Sequence, residues 1–332
     1  MKTAGVQPIR PLNARELSQL GAAKLAAFLG AVVIAVGSAA CNDATGLAGS
    51  GRPIVFMQHT NGWKLYQVGL IGSKPQTLPA RLPAIYPAVS PDGQFVAYVH
   101  EAADGGVEVV SLRTGGVIRP YLDAAVEQIA WSPAQDRLVL ALPFWGAGPG
   151  AGGLRVLKLS DSSTQDIAPD LIEPAWSPDG NTILAVSGQF GTREPGIYAL
   201  NPDGTNIRLV VSANGMGIRG PAWSPDGSRI AFSRGTYGAH FIYTARPDGS
   251  DERRVTYPDS TPGLFTDLKP AWSPDGSWIA FTREHAVCPN GACVGRYDIF
   301  AVRVDILGFA PSRPQPRNLT RDAEWGGAFP SW

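Results

Sequence analysis

From position 53 onward, apolar residues come in short runs separated by Pro, Asp, Gly and Ser. The clearest unit is "KPAWSPDGSWIAF", which starts at Lys269. Close copies start at Tyr86, Gln128, Glu173 and Gly220, at spacings of 42, 45, 47 and 49 residues. Each copy reads as a strand, a Ser-Pro-Asp-Gly turn and a returning strand. Pro presets φ for the first turn position, Asp accepts local N–H bonds, and Gly takes positive φ without steric cost. A sixth copy is split. The chain ends on "FPSW" (329–332), which is the entering strand alone, and "IVF" (54–56) is the returning strand alone.

A second apolar pair with its own turn fills the rest of each period. Examples are "GIYALNPDGTNIRLV" from Gly196 and "FIYTARPDGSDERRVT" from Phe241, with "KLYQV" at Lys64 and "DIFAV" at Asp298 in the same slot. Short β-branched and aromatic runs bounded by turn residues are strands. Four strands per period of this length are propeller blades. The predicted fold is therefore all-β, a six-bladed propeller of four-stranded antiparallel blades spanning 53–332. The C-terminal strand would complete the N-terminal blade, leaving no open sheet at either end of the ring.

The leader departs from this pattern. Lys2, Arg10, Arg15 and Lys24 precede the apolar run "LAAFLGAVVIAVG" (25–37), and Ser38, Ala39 and Ala40 lead to Cys41. The run is too short to span a bilayer as a helix. A basic region, a short apolar region and small residues read as an export signal over 1–40. The small residues before Cys41 resemble a bacterial lipobox, with Ser38 where Leu or Val is usual. That resemblance implies lipidation of Cys41 and a membrane anchor. Residues 41–52 are small and polar and read as a flexible tether.

Composition adds limits. The 332 residues carry 28 basic and 28 acidic side chains, and without the leader 24 and 27 remain. Nothing is basic enough to indicate nucleic acid. Cys288 and Cys293 in "CPNGAC" flank a turn, and in an exported chain they read as a disulfide.

The "PAWSPDG…IAF" and "IY…PDG" segments resemble the Pro-Asp propeller repeats of the TolB family, over the whole of 53–332. The resemblance implies a six-bladed propeller of the periplasm or cell surface. TolB proteins bind a peptidoglycan-associated lipoprotein, so it also implies an envelope protein partner. They carry an α/β domain ahead of the propeller, where this sequence shows only the tether. Peptidases with similar propellers carry a hydrolase domain, and no G-x-S-x-G elbow occurs in this sequence.

Candidate chemistry follows from topology. Asp92, Asp179, Asp226 and Asp275 of the repeated turns stand one per blade, too far apart for paired acid–base work, and read as architecture. Both Pro-Asp turns of each blade share one face. The opposite face carries long, dissimilar loops, which is where a rigid scaffold places binding residues. Just before each inner strand, Tyr86, Gln128, Glu173, Gly220, Lys269 and Phe329 would ring the channel mouth. This mixed set suits a polar peptide or small polar ligand, or merely packs. His59, His100, His240 and His285 fall on the same face in consecutive blades, with Glu101 and Glu284 nearby. They are either a metal or pH-sensitive site or four separate surface residues. Trp325, Phe265, Tyr237 and Tyr257 are either partner contacts or blade packing. The expected function is a non-catalytic, lipid-anchored envelope propeller that needs no cofactor and binds a protein partner. The alternative is a carbohydrate-active or carbohydrate-binding protein with its site at the channel mouth.

Overall fold

The structure, a computed structural model, describes residues 54–59, 63–68, 76–78, 84–100, 106–112, 114–121, 126–143, 152–187, 193–236, 238–257, 265–287, 294–304, 315–320 and 328–331. No helix occurs among them. Among the described residues, twenty-four strands form six four-stranded antiparallel sheets. The first blade holds β1 (Ile54–His59), β2 (Trp63–Val68) and β3 (Gln76–Thr77). The second holds β4 (Ala84–Val89), β5 (Phe95–His100), β6 (Val107–Ser111) and β7 (Val117–Tyr121). The third runs through β8 (Gln128–Trp131), β9 (Arg137–Leu142), β10 (Gly153–Lys158) and β11 (Thr164–Ala168). The fourth has β12 (Leu171–Trp176), β13 (Ile183–Ser187), β14 (Gly196–Leu200) and β15 (Arg208–Ser212). The fifth has β16 (Gly217–Trp223), β17 (Ile230–Thr236), β18 (Ala239–Ala245) and β19 (Arg253–Arg254). The sixth has β20 (Phe265–Trp272), β21 (Trp278–Val287), β22 (Val294–Arg303) and β23 (Arg317–Asn318). The last strand, β24 (Ala328–Ser331), pairs antiparallel with β1 and makes the first blade four-stranded. It also lies against β20, β21 and β22 of the sixth blade.

The second strand of each blade is covered on both faces, so it is largely buried rather than buried at alternate positions. β13 and β14 are buried throughout. Phe56, Phe232 and Phe281 hold the same place in the second strands of the first, fifth and sixth blades. All three are fully buried and stacked on the third-strand rings Tyr66, Tyr243 and Phe300.

The repeated turn is built as its residues dictate. In the fifth blade the Asp226 carboxylate accepts from the Ser224 hydroxyl at 2.6 Å, the Ser228 N–H at 3.0 Å and the Ser228 hydroxyl at 2.7 Å. The Ser224 hydroxyl oxygen in turn accepts from Arg229 N–H at 2.9 Å. The same pattern recurs around Asp92, Asp179 and Asp275. Where the sequence reads Ser-Pro-Ala-Gln-Asp, Asp136 takes the Ser132 hydroxyl at 2.9 Å, and Gln135 adopts the left-handed φ of 60°. Two of the repeated tryptophans tie one blade to the preceding one. The Trp131 indole donates to the Ala88 carbonyl at 2.6 Å, and the Trp223 indole to the Ala175 carbonyl at 3.3 Å.

Candidate functional site

The inner strands share a distortion that positions the channel residues. Pairing shifts register between Ile85 and Ala88, Ile172 and Ala175, Arg219 and Ala222, and Leu268 and Ala271. In each case the two skipped residues are an X-Pro pair: Tyr86-Pro87, Glu173-Pro174, Gly220-Pro221 and Lys269-Pro270. The pairing of β24 with β1 skips Phe329-Pro330 in the same way. Proline offers no N–H to the ladder, so the strand bulges there. The residue before it takes a left-handed conformation, with φ of 50° at Tyr86, 54° at Glu173, 58° at Gly220 and 53° at Lys269. The third blade reads Gln128-Ile129 instead of X-Pro, and its register runs unbroken.

These are the positions that the sequence placed around the channel mouth. Tyr86, Gln128, Glu173 and Lys269 are only 6–9% exposed, and they lie within the inner strands rather than just before them. The side chain of Phe329 lies outside the described residues. Glu173 and Lys269 meet: the ammonium donates to Oε1 at 2.6 Å, from the sixth blade to the fourth. The fifth blade lies between them and presents Gly220. A Cβ there would stand 3.2 Å from both the Cα and the Cδ of Lys269, so the absent side chain leaves the path open. The Gly220 N–H donates to Glu173 Oε2, and Arg219 Nη1 lies 3.9 Å from Oε1. Burial by itself would raise the Glu173 pKa, but Lys269, then Arg219, and the two hydrogen bonds outweigh it and hold the carboxyl below its ordinary value. Burial pushes Lys269 below the ordinary lysine value, and Glu173, with Glu127 of the third blade, only partly offsets it.

Arg219 and Glu127 were not singled out from the sequence. Their one signal was position, each directly preceding a ring residue.

The histidines do not gather into a metal centre among the described residues, where no group of three His, Cys, Asp or Glu side chains is placed to hold an ion. The His240 ring packs on Gly217, with Nε2 only 2.6 Å from where a Cβ would lie, and neither ring nitrogen has a partner. Burial, and then the charge of Arg219, pushes its pKa below the ordinary value. His285 Nε2 is 3.7 Å from Asp298 Oδ2. His100 ends β5 opposite Ala84. Glu284 accepts from the Tyr297 hydroxyl at 3.0 Å, and burial, with Glu284 beside it, pushes Tyr297 up to about 12. The His59 side chain, Glu101, Cys41, Cys288, Cys293, Trp325 and Tyr237 lie outside the described residues.

The two remaining aromatic candidates pack. Phe265 is buried, edge-on to Phe241 at 5.8 Å and covered by Arg283 at 4.1 Å. The Tyr257 hydroxyl donates to the Arg254 carbonyl at 3.2 Å, and the Arg254 guanidinium lies 5.1 Å from the ring. On the face of the repeated turns, a cleft of about 680 Å³ opens between the third and fourth blades, lined by Lys158, Gln165, Asn181 and Asn201.

Six four-stranded blades with Pro-Asp turns define a Pro-Asp β-propeller. Residues 161–290 match the family described as the TolB beta propeller domain. Over those residues the chain is similar to the TolB propeller domain. It superposes on TolB from Acinetobacter baumannii with a TM-score of 0.64 at 20% identity, covering 87% of this chain and 68% of that one. A TolB-type protein from Agrobacterium tumefaciens gives 0.54 at 21% identity, covering 77% and 86%. An oligogalacturonate lyase in complex with manganese gives 0.52 at 19% identity, covering 81% and 75%. These likenesses are of fold. No curated protein matches the sequence.

Proposed function

We propose that the protein is a non-catalytic propeller of the bacterial envelope, lipid-anchored through Cys41, that binds a protein partner through the face opposite the repeated turns. The TolB-type match over 161–290 carries this reading. The leader, with its small residues before Cys41, supports export and anchoring. The repeated aspartates accept bonds from their own turns, which is an architectural use of those carboxylates.

Two measurements test it. Cys41→Ser should move the protein from the membrane to the soluble fraction of lysed cells; unchanged fractionation would sink the anchor. A photo-crosslinking residue at Tyr237 or Trp325, used in intact cells, should capture a defined envelope protein. Capture of glycan alone would overturn the partner reading and favour the second one, a carbohydrate-active enzyme or carbohydrate-binding protein. That reading draws on the propeller shared with the oligogalacturonate lyase.

A further inference from the structure

Glu173 sits among two donors and a nearby cation that its own blade does not supply. Gly220 N–H and the Arg219 guanidinium come from the fifth blade, and the Lys269 ammonium from the sixth. A backbone N–H, a guanidinium and an ammonium converging on one carboxylate form a charge-assisted anion site. Pro221 and Pro270 follow the two bulge residues Gly220 and Lys269, which hold φ of 58° and 53°, and the Lys269 stem crosses Gly220, where a Cβ would stand 3.2 Å away.

Architecture alone accounts poorly for these charges. A buried ion pair seldom stabilises more than apolar residues of the same volume. The second and third blades put the neutral Tyr86 and Gln128 at the equivalent positions. Arg219 is 42% exposed, so one edge of the donor set faces solvent while the other is buried.

We infer that Arg219, Gly220 and Lys269 form a carboxylate receptor in the channel, filled in cis by Glu173, which a carboxylate of an acidic peptide on the binding partner displaces. The incoming group meets Arg219 first and then takes the Lys269 ammonium. Glu173 thus acts as an internal competitor that sets how strong an acidic ligand must be. The identity of the ligand as a peptide rests on the partner-binding reading; the receptor itself does not.

Acetate is the probe. Glu173→Ala empties the receptor, and acetate should then raise the thermal midpoint in a saturable way that chloride at equal ionic strength does not reproduce. The apparent acetate affinity of the variant should exceed that of the wild type about tenfold or more, since the internal competitor is gone. Adding Lys269→Met should abolish the gain. A folded Glu173→Ala variant that responds to acetate and chloride alike overturns the receptor. If that variant folds only with acetate present, the receptor stands. If acetate fails to restore folding and the folded Glu173→Gln variant is equally indifferent to it, the receptor falls. Acetate-specific stabilisation together with no protein captured in cells would keep the receptor and remove the partner reading, so the two fail separately.

Discussion

At Gly220 the missing side chain leaves room for the Lys269 stem on its way to Glu173. A Cβ at Gly220 would press on that stem, and the φ of 58° there disfavours any L side chain. Gly220→Ala is therefore expected to lose about 1–3 kcal/mol in urea unfolding, from strain and displaced packing together. The Glu173 charge gives a second expectation, with a definite sign. Its folded-state pKa is lowered, so its contribution is complete above the ordinary carboxyl value of 4.5 and is lost as pH falls through the lower folded value. Asp179, Asp226 and Asp275 are shifted in the same direction, so the molecule as a whole should weaken in acid. Glu173→Gln leaves Lys269 buried and unpaired, which should cost about 3–5 kcal/mol near neutral pH. The gap from the wild type should close as pH drops below the carboxyl range. Parallel stability–pH curves for the two proteins would contradict this. None of it was legible in the sequence beyond the mixed character of the ring. Glu173 and Lys269 stand 96 residues apart, and only the curvature of the ring brings them together.

At the scale of strands and turns the sequence was far more informative, because the forces are local. Pro, Asp and Gly at fixed offsets specify a turn whatever the rest of the chain does, and the turns sit where they were read. The inner-strand bulge was missed, although its cause, an X-Pro pair inside the inner strand, is written five times. A bulge is a relation between two strands, and only the pairing of Ile172 with Val186 and of Ala175 with Leu184 reveals the skipped residues. The glycines of the outer turns carry a similar hidden constraint. Their positive φ is what a Pro-Asp-Gly turn announces, but a Cβ at Gly249 would also lie 2.0 Å from the Val210 carbonyl oxygen of the preceding blade. Gly249→Ala should therefore destabilise more than Gly227→Ala, whose Cβ would meet only Pro178 at 3.9 Å. Both change a residue at positive φ, so equal losses in chemical denaturation would show that conformation alone matters. Asp226→Ala removes one accepting carboxylate from its turn and should cost about 1 kcal/mol by the same measurement.

For the molecule as a whole, the period of the repeat gave the blade number, and the split copy gave the pairing of the chain ends. What the split copy could not give is how much depends on it. β24 is the innermost strand of the first blade and also a wall of the sixth, so it is shared between the two ends of the ring. Behind it lie Ile54, Val55, Phe56 and Met57 of β1, all but fully buried. Removing 328–332 would expose that edge, with its unpaired backbone groups, together with the flank of the sixth blade. An open apolar edge strand is a template for pairing with another copy. The truncated chain is therefore expected to elute as larger species than the intact chain in size-exclusion chromatography and to unfold several degrees lower. The fourth and fifth blades, whose cores do not touch β24, should outlast the first and sixth in hydrogen exchange. Uniform loss of protection across all six blades would mean instead that the ring is one cooperative unit, with no blade able to stand once the ends part.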